Sequence, residues 1–195
     1  QVDFMEANKD YSICFGNVVI KDENLEKEYL LESYSKLTFT LEHLLEGKNF
    51  IHTCTCLFRN GYADDIVKNR KIIFGDYYLH LLNAQFGKIK YFDERFGVYR
   101  IHQGGVHGNF TASKEKKIAG VINHYVFWKE ILKKRLFDDE IVKLNLEKSI
   151  IRTVMAAISA KDYQAFLKFN NKFFKFNKLV YFRNFGPSIK SGVLK

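Results

Sequence analysis

Apolar positions along the chain change their period near residue 111, and that change divides it. Before it, short β-type runs alternate with short helical ones. Val2 and Met5, three apart in QVDFMEAN, mark the end of an amphipathic helix already under way. Residues 12–20 (SICFGNVVI) are rich in β-formers and predict a buried strand, whereas the highly charged residues 21–34 predict a solvated excursion. Residues 40–47 (TLEHLLEG) predict a short helix with a glycine stop. Residues 51–58 (IHTCTCLF) alternate in β fashion and end on the turn signal Arg59-Asn60-Gly61. A helix over 76–86, halted at Gly87, leads to a strand at 88–92, a hairpin turn at Asp93-Glu94 and a second strand at 97–102, which Gly104-Gly105 then break. After Thr111 the pattern is helical throughout, over 113–136, 138–159 and 162–182. The fold class these elements predict is α+β. A small mixed sheet from residues 12–20, 51–58, 88–92 and 97–102 is flanked by helices, with residues 1–110 as one portion and 111–195 as a helical C-terminal region.

Composition narrows this only a little. An apolar fraction of 47% and a charged fraction of 27% are ordinary for a globular chain of 195 residues, and 19 Phe and 11 Tyr against one Pro argue against disorder. No apolar run approaches the roughly 18 residues that suggest a membrane span. The opening QVDFMEANKD has no initiator Met and reads as the middle of something longer. Cys54 and Cys56 lack CxxC spacing, so these two and Cys14 are expected to be reduced thiols of a cytoplasmic protein. Charge is more informative. Residues 1–110 hold 13 Lys/Arg against 15 Asp/Glu, and residues 111–195 hold 18 against 7, so the net +9 belongs to the second region alone.

The stretch IHTCTCLFRNG, followed after a gap by FGDYYLHLLNAQFGKIKYFDERFGVYRIHQGGVHG, resembles the acceptor-side segment of bacterial family 2 glycosyltransferases of the GT-A type. Those show a strand ending near FRNG, a helix opening GD(W/Y)xL, a GKIxYxDE hairpin and a VYRxHxGG strand end. The N-terminal QVDFMEANKDY is similar to the helix that follows their metal-binding carboxylate motif. The resemblance covers roughly residues 1–108 in five pieces of matching order. It implies inverting transfer of a sugar from a nucleotide-sugar donor to a glycan or lipid-linked acceptor hydroxyl, in the making of cell-envelope polysaccharide. Such a reaction needs a carboxylate to take the acceptor's proton. The resemblance makes Asp76 that general base, where position alone makes it a helix N-cap. It places Arg100, Gly104 and Gly105 against the donor's diphosphate and His102 on the diphosphate or its metal; position alone makes His102 a satisfied strand-end histidine. His107 is a weaker candidate in the same loop. A divalent metal, Mg or Mn, is implied for the full-length enzyme and none for these residues alone. The family's nucleotide-binding half precedes the residues matching Gln1 and is not in this sequence. The 195 residues are therefore expected to be inactive by themselves.

Other polar clusters read as structural. Asp64-Asp65 lacks the spacing of a donor-site motif, Asp93-Glu94 shapes a turn, and His43, His52, His80 and His124 show no ligand spacing. Arg59 with Lys68, Arg70 and Lys71 is a solvated edge or a phosphate contact. Residues 161–183 (KDYQAFLKFNNKFFKFNKLVYFR) gather Phe166, Phe169, Phe173, Phe176 and Val180 on one helical side and Lys161, Lys168, Lys172, Lys175 and Lys178 opposite. Two arrangements satisfy that pattern: a helix on an anionic membrane surface, at the inner face of the membrane, or, more commonly, a helix packed on its own domain. A non-catalytic basic interaction or membrane-surface module is accordingly the alternative function. Nucleic acid is not an expected partner, because Lys greatly outnumbers Arg and no RNA- or DNA-binding signature is present. Self-association as a homodimer is expected if a sheet face or edge is left uncovered.

Overall fold

The computed structural model describes residues 1–23, 26–30, 33–46, 48–60, 72–102 and 113–176, except the side chains at 114, 173 and 176. Asp64-Asp65, Lys68, Arg70, Lys71, Gly104, Gly105, His107, Lys178 and Val180 lie outside the described residues. The chain divides into two compact units, Gln1–Asn109 and Phe110–Lys195.

The first unit is built on β1 (Tyr11–Asp22), whose Ile13, Cys14, Phe15 and Val18 are sealed from solvent. Burial on both faces explains why this strand reads as a continuous apolar run rather than an alternating one. Beside it, and parallel to it, runs β5 (Lys88–Ile101), from Tyr11 opposite Lys88 to Asp22 opposite Ile101. The remaining pairings are antiparallel: β2 (Lys27–Leu30) on the other side of β1, β3 (Thr38–Phe39) on β5, and β4 (Leu57–Phe58) on the start of β1. The order is β2-β1-β5-β3, with β4 joined to β1 off that path. This is a mixed sheet flanked by helices, an α+β fold as the sequence predicts. α1 (Val2–Ala7), α2 (Leu41–Leu45) and α3 (Gly75–Ala84) accompany it. The core contains an aromatic cluster of Phe15, Tyr34, Phe39, Phe50 and Tyr91, with ring centroids as close as 4.7 Å.

Four predicted elements take another form. Residues 51–58 are not a strand but a 3-10 turn, Thr53–Thr55, followed by the two-residue β4. A short polar side chain there bonds backbone outside any ladder: the Thr55 hydroxyl lies 2.9 Å from the local carbonyl of His52 and 2.9 Å from the distant one of Gly16. The hairpin expected at Asp93-Glu94 is a bulge within one continuous strand, because Phe92, Arg95 and Gly97 stand opposite the consecutive residues Gly16, Asn17 and Val18. The Asp93 carboxylate accepts hydrogen bonds from the hydroxyls of Tyr91 and Ser33, anchoring the surplus residues without reversing the chain. The charged excursion contains β2, a fully exposed edge strand. Finally, Arg59 is neither a solvated edge nor a phosphate contact. Its Nε donates to the Tyr11 carbonyl at 2.9 Å and its Nη2 to the carbonyls of Met5 and Asn8, tying α1 and the start of β1 to the end of β4.

The second unit is a run of three helices, α4 (Lys114–Lys134), α5 (Asp139–Ala160) and α6 (Tyr163–Phe176). Ser113, Asp138 and Asp162 accept from the free amides at their starts, and Arg135 and Lys161 turn left-handed at the ends of α4 and α5. Phe127, Trp128, Ile131, Ile150 and Val154 are buried among them. Phe169 is 1% exposed and meets Tyr125 edge-on at 5.2 Å, so the apolar side of α6 is occupied within its own unit at this position. Lys168 and Lys175 are exposed. No described helix is long and apolar enough to cross a membrane. All three cysteines are free thiols, Cys14 buried and Cys54 exposed.

Gly16 is where the bulge presses on β1: a Cβ there would stand 2.8 Å from the Glu94 carbonyl oxygen and collide with the Phe96 ring. Gly16→Ala should therefore lose about 1–3 kcal/mol of stability, read as a lower urea midpoint; an unchanged midpoint would contradict the close approach.

Candidate functional site

The segment joining α2 to β4 runs past the N-terminus of α3, and the outer end of β5 closes the opposite wall. Between them lies an open cavity of about 740 Å³ lined by Asn49, Ile51, His52, Thr53 and Cys54 from the segment, Asp76 from α3, Tyr99 and Ile101 from β5, and Ile20 and Tyr29 from β1 and β2. Tyr99 and Ile101 face it together because strand residues two apart share a side.

Asp76 is not the N-cap of α3. Phe74 holds that position without a side-chain cap, and Asp76 sits in the first turn, where the free amides and helix dipole favour a carboxylate. Its side chain is exposed and turns to the neighbouring segment. Oδ2 accepts from Asn49 Nδ2 at 3.3 Å and from the Thr53 hydroxyl at 3.1 Å. Among the described residues Oδ1 has no hydrogen-bond partner.

One helical turn along α3, His80 is fully buried. Burial pushes its pKa down to about 4, against the upward pull of the Asp76 charge, so the ring is neutral. Nδ1 lies 3.1 Å from Asn49 Oδ1, which also accepts from the Ile51 amide at 3.3 Å. Nε2 faces the Cys56 sulfur at 3.7 Å, a thiol whose pKa burial pushes up to about 11. Half-buried His52 lies in the lining, 6.4 Å between ring centroids from Tyr99, and burial lowers its pKa too.

Of the residues singled out by sequence, Asp76 alone lines the cavity. Arg100 projects from β5 between Tyr99 and Ile101, and pairs with Glu23 at 3.6 Å. His102 follows the end of β5 and is half-buried. The described lining of this cavity includes neither. Gly104 and Gly105 lie outside the described residues. Asn49 and Thr53 escaped sequence reading, and His52 and His80 read there as structural. Only His80 carried a usable signal, its i,i+4 spacing from Asp76 on one helix face. Among the described residues no three His, Cys, Asp or Glu side chains converge as metal ligands. His102 offers a single donor, which does not by itself fit a divalent ion.

Because His80 binds a proton less readily folded than unfolded, stability should fall as pH drops from about 6.5 towards about 4 and be fully retained above that window. The contribution is roughly 2–3 kcal/mol between about pH 7 and about pH 4.5. The stability measured by urea titration should fall by that much more between those two pH values in the protein than in His80→Gln; equal falls would contradict a buried neutral ring.

No protein-family model matches the chain. The uncharacterized protein Mb1547 of Mycobacterium bovis and the uncharacterized protein Rv1520 of Mycobacterium tuberculosis are each 30% identical to it over 115 residues. The match takes in 57% of this chain and 32% of either relative, so the chain spans about a third of the length of the curated relatives it matches.

Proposed function

We propose that the chain is the acceptor-side portion of an inverting family 2 glycosyltransferase, with Asp76 as its general base. The observation that supports this best is the carboxylate itself. It stands in the first turn of a helix at an open cavity, with both described hydrogen bonds on Oδ2 and Oδ1 left over. An acceptor hydroxyl donates to Oδ1. As the hydroxyl oxygen bonds to the anomeric carbon, its proton passes to Oδ1, and the bond from that carbon to the nucleoside diphosphate breaks on the far side, inverting the centre. Tyr29, Tyr99, Ile51 and Ile101 provide apolar surface for the C–H faces of a sugar ring. A divalent ion, when bound in the complete enzyme, would neutralise charge growing on the diphosphate. Arg100, His102, Gly104 and Gly105 are assigned to that side by resemblance alone. The strongly basic region 111–195 suits peripheral contact with an anionic membrane carrying a lipid-linked acceptor, at its cytoplasmic face.

The test is transfer from a panel of nucleotide sugars by a protein that also carries a nucleotide-binding half. There Asp76→Asn, with its circular dichroism unchanged, should lower kcat about a hundred- to ten-thousand-fold. A rate unaffected by that substitution would remove the reading.

A further inference from the structure

A line of side chains runs from half-buried Cys56 through fully buried His80 and exposed Asn49 to Asp76 at the cavity. Three of them are not needed to state the proposed reaction. We infer that His80 and Asn49 are positioning residues for Asp76: the buried imidazole and the Ile51 backbone amide together hold the Asn49 carbonyl oxygen, and the outward N–H₂ sets which carboxylate oxygen is held and which meets the cavity. The catalytic meaning of this arrangement rests on the general-base reading of Asp76.

The orientation follows from donors and acceptors alone. The Ile51 amide can only donate, so the Asn49 atom 3.3 Å from it is the carbonyl oxygen. The same oxygen faces His80 Nδ1, which must then carry the ring proton. A neutral ring leaves Nε2 as a lone pair, and the weak S–H donor of Cys56 lies on that side. With its oxygen held by two donors, the Asn49 amide points its N–H₂ outward, at Asp76 Oδ2. Flipping the amide would set two donors against Ile51 and two acceptors against each other at Asp76. The Nδ1 proton and the Ile51 N–H thus hold the same oxygen together, and through it support a contact on the cavity wall. Thr53 adds a second bond to the same oxygen, and Oδ1 is left for a substrate proton.

Two measurements test this, and they separate it from the parent reading. Long-range 15N–1H correlation spectra of the 195-residue chain should show His80 neutral with its proton on Nδ1, and Asn49→Ala should move it towards Nε2. Asn49 is exposed, so this variant is expected to keep its dispersed amide spectrum, unlike a change at the buried histidine. In the longer, active protein Asn49→Ala should lower kcat about tenfold to a hundredfold with KM for the donor unchanged. An Nε2 proton in the unsubstituted chain overturns the inference. A kcat indifferent to Asn49→Ala, in a protein that Asp76→Asn inactivates, also overturns it and leaves the general base standing. Transfer indifferent to Asp76→Asn removes the catalytic meaning, while the histidine spectrum still decides whether the line of side chains is ordered as inferred.

Discussion

Parallel pairing between β1 and β5 is the constraint on which the first unit depends. It aligns eleven positions from Tyr11–Lys88 to Asp22–Ile101 and needs a crossover to bring the second strand alongside the first. The chain between them carries α2, the 49–54 segment and α3 within that crossover, so the residues that line the cavity are those the pairing obliges to lie against one end of the sheet. The bulge opposite Gly16 matters for the same reason. It absorbs the surplus residues of β5 without ending the strand, and so carries Tyr99 and Ile101 out to the cavity wall.

Polar groups in this unit are committed unevenly. Arg59, which reads from sequence as a solvated edge or an anion contact, donates to three backbone carbonyls and holds α1, β1 and β4 together. His80, which looks like an incidental core histidine, lies under the cavity and is bonded to its lining. Burial separates the two roles better than residue type does. A guanidinium surrounded by carbonyls has its donors engaged, whereas a neutral imidazole reached by an exposed amide is the inner end of a line that leads outward.

The two units divide the chemistry of the chain as well as its contacts. The carboxylate-bearing cavity belongs to the first unit, and the excess positive charge belongs to residues 111–195. Packing of Phe169 against Tyr125 commits part of the aromatic side of α6 to its own core and leaves Lys168 and Lys175 facing water, where they act through their field.

By itself the sequence determined what local chemistry determines: the buried run that becomes β1, the capped helices of the second unit, the helix opening at Gly75-Asp76, and the separation of charge between the two regions. It misled at residues 51–58 and at Asp93-Glu94, where β-like alternation and turn-forming residues have a local meaning that long-range bonds to Gly16 and Ser33 override. Only the tertiary structure decided that Asp76 shares a cavity with Asn49, His52, Thr53 and Tyr99. Side chains meet there across separations of more than twenty residues. Their meeting depends on strand register and helix placement, quantities set by the packing of the whole unit and written in no short stretch of it.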